Sequence, residues 1–272
     1  MQIRSRGFET LPVVVKNLLI INGLFFMATI ALKKMQIDLE SLFALHYWES
    51  EKFKVWQFVT HMFMHADIMH LFSNMFALWM FGSILENNFG PKRFLTFYML
   101  CGIGASFLHM GVLAYNFIEL KQAVAAFDVN PTVKGFSSFL TQHNIMDPEL
   151  NKFLTIWTSS PMEDGFKHVG SKLLHSEFIR IINEPTLGAS GAVFGILFAF
   201  GYLFPNTEMM LLFIPFPIKA KYFVGAYALF ELYAGFNPTA GDNIAHFAHL
   251  GGMLVAFIIL KIWNKTHRNH FY

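Results

Sequence analysis

Six apolar stretches recur along the 272-residue chain, each near the length that crosses a lipid bilayer. A helix rises 1.5 Å per residue, so about 20 mostly apolar residues cover the hydrocarbon layer. The stretches run from about Leu11 to Leu32, Ala66 to Leu85, Phe94 to Ile118, Thr186 to Phe204, Ile218 to Phe236 and Ile244 to Trp263. The fifth is the most interrupted, with Lys219 and Lys221 at its start and Glu231 inside it. Composition agrees: 54% of residues are hydrophobic and 14% charged, where globular proteins carry about a quarter charged. One soluble domain could not hide that much apolar surface. The 33 phenylalanines exclude a disordered chain. A net charge of +2 without a basic block argues against a nucleic-acid partner. The single cysteine, Cys101, excludes a disulfide framework and a zinc–thiolate site. The expected class is therefore an all-α, polytopic membrane protein whose partner is the lipid bilayer. The first stretch reads as a retained helix, because it is long and lacks a convincing cleavage site.

Basic residues in short loops set orientation. Arg4 and Arg6, Lys92 and Arg93, Lys219 and Lys221, and finally Lys261, Lys265 and Arg268 all fall on one side if both termini are cytoplasmic. The loop from Asn237 to Asn243 has no Lys or Arg. The expected plan is six transmembrane helices in a single membrane domain over residues 1–272, with a long insertion at about 119–185 on the outer face. Within it, Asp147-Pro148-Glu149 reads as an N-cap, a first-turn proline and an acidic first turn. A second amphipathic pattern runs from Phe166 to Ile182, and these helices are expected to pack on the outer face or lie in its interface. The segment from Lys33 to His65 carries Tyr47, Trp48 and Trp56, residue types suited to a membrane interface.

Polar residues inside membrane spans are costly and usually face the bundle interior. On this topology the second, fourth and sixth spans enter from the same outer face. Ser190 is expected about four residues into the fourth span, His249 about five into the sixth and His70 about five into the second. Asn74 lies one turn beyond His70 on the same helix face. Three helices thus bring Ser, two His and Asn to one level, a pattern that fits a serine nucleophile, a base and oxyanion donors. Gly188, Gly191 and Gly195 on one helix, with Gly251, Gly252 and Ala256 on the other, would let the backbones approach. Taken singly, each polar residue also has a bland reading, as an interhelical hydrogen bond or an interfacial side chain. The histidines also allow a metal site, but His61-Met-Phe-Met-His65 lacks the glutamate of an H-E-x-x-H zinc motif. No metal is expected. Glu231 has no assigned role beyond a helix–helix hydrogen bond.

The run from Val55 through Trp56, His61 and His65 to His70-Leu-Phe-Ser-Asn74, together with Gly188-Ala-Ser190-Gly191 and Ala248-His249-Leu-Gly-Gly252, resembles the rhomboid intramembrane serine proteases. Phe213-Ile-Pro-Phe-Pro-Ile-Lys-Ala-Lys221 is similar to a stretch common in bacterial members. The resemblance implies a Ser190–His249 dyad without an acidic third member. It also implies an oxyanion hole formed by His70, Asn74 and the Ser190 backbone N–H. Substrates would be single-span membrane proteins, cut near the outer edge of their helix, and no cofactor would be needed. Gly188, Gly191, Phe194 and His65 would line the site, with His65, His70 and Asn74 able to hold water. Gln57 stands where many relatives carry arginine, and Phe194 where many carry tyrosine. An inactive client-binding relative is the non-enzymatic alternative, and a metal-dependent membrane hydrolase a third. The family points to a multi-pass protein of a bacterial inner membrane.

Overall fold

The computed structural model describes residues 11–143, 145–161, 164–210, 216–237 and 244–266. Arg4, Arg6, Arg268, most of the loop 237–243 and the first part of the stretch 213–221 lie outside the described residues. The described residues are mostly helical. It opens with α1 (Val13–Lys33), the short α2 (Leu39–Phe43) and α3 (Gln57–Thr60), then a 3₁₀ turn over His61–Phe63. α4 (Ile68–Ala77) passes through a π-helical turn, Leu78–Gly82, into α5 (Ser83–Phe89). α6 (Pro91–Val129), α7 (Val133–Gln142), α8 (Pro148–Ser159) and α9 (Asp164–Ile182) follow. α10 (Ser190–Leu203), α11 (Ala220–Phe236) and α12 (His246–Thr266) complete it. A two-residue antiparallel hairpin, β1 (Glu208–Met209) with β2 (Ile218–Lys219), joins α10 to α11.

Helix starts are set by local chemistry. Asp38, Asp67, Thr132 and Asp147 each accept a backbone N–H of the first turn of α2, α4, α7 and α8. Gly90 at φ 78° turns the chain and Pro91 then opens α6. α1 has no cap of its own. The buried Glu86 carboxylate supplies one, accepting from Val14 N at 2.9 Å and Val15 N at 2.8 Å.

Among the described residues, four runs are long and apolar enough to cross a membrane: Val13–Lys33, Ile68–Phe89, Pro91–Val129 and His246–Lys265. α10 is apolar but has 14 residues, about 21 Å at 1.5 Å per residue. α11 has 17 and carries Lys221 and Glu231. Exposed Ile20, Leu24, Met27, Leu100, Phe107, Ile258 and Ile262 give these helices an apolar outer surface. Such a surface is stable only in lipid, and the protein is an integral membrane protein.

Two cores are built on α6. The first packs α6 against α1, α5, α10 and α12 through Val15, Leu18, Leu85, Phe94, Phe97, Tyr98, Ile196 and Ala256. The second belongs to the insertion. α6 continues beyond Ile118, where its span was expected to end, and has 39 residues, about 58 Å of helix against the roughly 30 Å hydrocarbon layer. α7, α8 and α9 pack on this extension, burying Phe127, Phe136, Leu150, Trp157 and Leu174.

Candidate active site

The fourth apolar stretch does not begin as a helix at Thr186. Leu45 and Thr186 exchange backbone hydrogen bonds at 2.8 Å, and Gly188 takes φ +125°, a conformation L side chains rarely adopt. Gly188 N donates to the His61 carbonyl at 2.9 Å. The helix can start only after this turn, so Ser190 is its first residue and not its fourth. The first N–H groups of α10 therefore have no carbonyl partner within their own helix, and they surround the serine. His70 and His249 likewise sit within the first turn of α4 and α12. All three groups thus lie in the first turn of their helices, nearer the helix ends than expected.

Small residues set the distance between helices. A Cβ on Gly252 would be driven into the carbonyl of Gly191, and one on Gly195 would meet Cys101 Sγ at 2.7 Å. Gly191 lies as close to Ala105 of α6, where an added Cβ would be 2.6 Å from the alanine's own. Backbone contact at these points brings α10 and α12 near enough for side chains of one to reach the other.

At that crossing Ser190 Oγ and His249 Nε2 are 2.9 Å apart. The His249 ring stacks on Phe194, centroids 4.0 Å apart and planes 7° from parallel. Ser190 is half-buried and His249 buried. On the other side of the serine, the His70 ring covers Gly188. A Cβ there would be 2.8 Å from His70 Nε2 and 3.7 Å from Ser190 Oγ. Asn74 is buried and its Nδ2 donates to the His70 carbonyl at 3.0 Å. His65 is edge-on to His70 at 5.1 Å, and among the described residues neither of its ring nitrogens has a protein partner. The structure thus gathers Ser190, His249, His70, Gly188, Gly191, Phe194 and His65 in one place, with Asn74 turned toward its own helix.

Two further residues belong to this cluster; the sequence reading gave Glu231 only a helix–helix hydrogen bond, which it makes, and His246 only a place beside His249 in a conceivable metal site. Glu231 of α11 is buried, and its Oε2 accepts from His249 Nδ1 at 2.9 Å and from His246 Nδ1 at 2.6 Å. The signals were present in the sequence: an intramembrane carboxylate, and two histidines three apart on one helix face. These three side chains are also the one group among the described residues that could offer a metal ion three ligand atoms, all within 4.8 Å of one another. Two ligands on a tetrahedral ion at about 2.0 Å lie about 3.3 Å apart. The 2.6 and 2.9 Å separations are instead hydrogen-bond lengths.

Gln57 anchors the segment leading to the site. It is fully buried; its Oε1 accepts from His46 N at 3.2 Å and Lys54 N at 3.1 Å, and its Nε2 donates to the Lys52 carbonyl at 2.9 Å. Those bonds close the chain between α2 and α3, which delivers the His61 carbonyl to Gly188.

Comparison with known proteins gives a consistent picture. The Rhomboid domain family matches residues 52–140 and 152–265. The chain is 28% identical over 217 residues to RHOMBOID-like protein 12, mitochondrial, of Arabidopsis thaliana, covering 78% of this chain and 47% of that protein. It is 24% identical over 200 residues to Rhomboid protein 1, mitochondrial, of Saccharomyces cerevisiae, covering 72% and 38%. A match to Rhomboid protease GlpG of Haemophilus influenzae is 24% identical over 87 residues, covering 31% and 45%. The chain spans less than half the length of each of these relatives. The two with the longer matches are named mitochondrial, so the expected bacterial inner membrane finds no support in them.

Proposed function

The chain belongs to the rhomboid family, and from that premise we propose that it is an intramembrane serine endopeptidase. Its substrates are single-span membrane proteins, cut near the outer edge of their helix. The observation that carries the reading is the 2.9 Å contact between Ser190 Oγ and His249 Nε2, made across two helices held by glycine contact. In this reading six helices cross the bilayer, α10 and α11 completing the bundle. Both termini are cytoplasmic, and residues 1–272 form one membrane domain with the insertion on the outer face.

The chemistry follows from the geometry. Ser190 Oγ attacks the scissile carbonyl carbon as its proton passes to His249 Nε2. The oxyanion forms at the start of α10, where the Ser190 N–H and its neighbours point outward from the helix. His70 stands beside Gly188 at the same end. Asn74 carries a second amide hydrogen besides the one given to the His70 carbonyl, and that hydrogen serves the oxyanion. His249 then gives its proton to the leaving amine and the acyl-enzyme forms. Water next attacks the ester, His249 takes the water's proton, and serine is restored when that proton returns to Oγ. The His65 ring nitrogens, buried beside His70, hold water close to the ester. A substrate helix must unwind to expose its carbonyl, so small or helix-breaking residues at the cut favour cleavage.

The test is cleavage of a tagged single-span substrate in liposomes by wild type, Ser190→Ala and His249→Ala. Each substitution is expected to lower kcat by at least about 10⁴-fold. Cleavage that survives Ser190→Ala overturns the reading. A wild type that binds such proteins without cutting any of them points to an inactive client-binding relative instead.

A further inference from the structure

The Ser190–His249 pair leaves one side of the imidazole unexplained. Phe194 fixes the plane of the ring, but a flat apolar surface cannot tell nitrogen from carbon. The ring could turn over and keep the same stacking, presenting carbon to the serine. Something must also decide which nitrogen holds the proton. Glu231 meets both needs. Its Oε2 lies 2.9 Å from His249 Nδ1, and an ionised carboxylate can only accept. In the neutral ring, Nδ1 must therefore carry the hydrogen, and Nε2 is left as the lone pair that faces Ser190 Oγ. With a neutral ring, one arrangement of protons satisfies both contacts: Oγ–H to Nε2, and Nδ1–H to Oε2.

His246 completes the arrangement. It lies one turn before His249 on α12, buried, and its Nδ1 donates to the same carboxylate oxygen at 2.6 Å. A second donor shares the charge of Oε2, so the carboxylate holds the Nδ1 proton of His249 without removing it. The form that reacts has Glu231 ionised and the His249 ring neutral, ready to take a proton. After attack the Ser190 proton sits on Nε2, His249 is an imidazolium facing Glu231, and the negative charge is on the substrate oxygen. No proton crosses from Nδ1 to Glu231.

We propose that Glu231 is a positioning residue, the acidic third member behind Ser190 and His249, with His246 as its second donor. This rests on the serine-protease reading and replaces the two-membered site that the family resemblance implied. The test uses full-length protein in liposomes with the same tagged substrate, comparing wild type, Glu231→Gln, Glu231→Asp and Ser190→Ala. Glu231→Gln presents an amide that can donate to Nδ1 and so admits the tautomer with hydrogen on Nε2. Its kcat is expected to fall about 10²- to 10⁴-fold with KM within about threefold. Glu231→Asp, which keeps the acceptor, is expected to recover at least about tenfold over the glutamine variant. Spectra of ¹⁵N-histidine-labelled protein in detergent, assigned with His246→Asn and His249→Asn, should show His249 protonated on Nδ1 in wild type and mixed in Glu231→Gln.

A folded Glu231→Gln with wild-type kcat overturns the proposal and leaves the serine protease standing. So does a wild-type His249 carrying its proton on Nε2, a result that does not depend on Glu231→Gln folding. Cleavage abolished by a chelator and restored by zinc overturns it by making Glu231, His246 and His249 ligands. Cleavage that survives Ser190→Ala removes the reading beneath it.

Discussion

The two halves built on α6 are held by different means. Around the site, helices touch through what is missing: Gly191, Gly195 and Gly252 let backbones meet, and there is no space for another carbon. In the insertion, helices touch through bulk. Trp157 lies 6.3 Å from Phe127, 5.9 Å from Phe136 and 5.6 Å from Phe153, ring centre to ring centre. Close backbone contact fixes positions to fractions of an ångström, as a hydrogen bond between two helices requires. Aromatic clusters bury more area per residue and tolerate rearrangement. The first kind of packing suits a reaction, and the second suits a cover on the helix that leads to it.

The comparison breaks most visibly at Gly252. In Gly252→Ala the new methyl meets the Gly191 carbonyl, so α10 and α12 must separate. A displacement of about 1 Å at reacting groups costs about 10²-fold, and overpacking costs about 1–3 kcal/mol or more. Both losses are expected together, in cleavage kinetics and in thermal unfolding in detergent. Trp157→Ala should do the reverse. Its cavity costs about 3–5 kcal/mol, confined to α7, α8 and α9 and read as faster proteolysis there. Distant sites combine additively within about 0.5 kcal/mol, so kcat should stay within about threefold. A kcat loss as large as that of Gly252→Ala would show that the two halves act as one.

Glu86→Gln probes the site half more gently. The carboxylate gives one oxygen to each of Val14 N and Val15 N, and an amide turns one of those acceptors into a donor facing a donor. The expected loss is about 1–3 kcal/mol, measured as a lower thermal midpoint, with α1 fraying in hydrogen exchange and kcat unchanged. An equal loss in protection of α8 would contradict a separate insertion core.

Much of this was legible in the sequence, for stated reasons. The long apolar runs, and the Asp147-Pro148-Glu149 start of α8, follow from composition and cap chemistry that act locally. Ser190, His249, His70 and Asn74 could be grouped because helix rise converts sequence position into depth, whereas Phe194 was placed beside them by the family resemblance. What stayed hidden depends on contacts between distant segments. The Leu45–Thr186 bridge moves the start of α10 to Ser190, and no local rule predicts that pairing. The extension of α6 beyond Ile118 depends on the aromatic residues of α7 and α8 that cover it. Glu231 was visible as an oddity, but its partners become evident only when α11 is laid beside α12.

The response to acid separates the two halves in another way. His46, His61 and His65 lie between α1 and α4, outside the spanning helices, and all are buried. Burial lowers each, and His61 and His65 are held at about 4, where an unfolded histidine titrates at about 6.5. The unfolded chain therefore takes up protons that the folded chain refuses. Stability is fully present above about pH 6.5 and is lost as pH falls toward 4, by up to about 1.4 kcal/mol per pH unit for each histidine. His143, at the end of α7, is lowered by the same cause but is half-buried, so the insertion carries less of this sensitivity. Hydrogen exchange between pH 6.5 and 5 should show the segment from Leu45 to His65 opening before α8. His65 faces His70 and Asp67, and His65→Leu removes its proton uptake while keeping the volume filled. That variant should flatten the acid slope by one histidine's share, and an unchanged slope would show that His65 does not carry it.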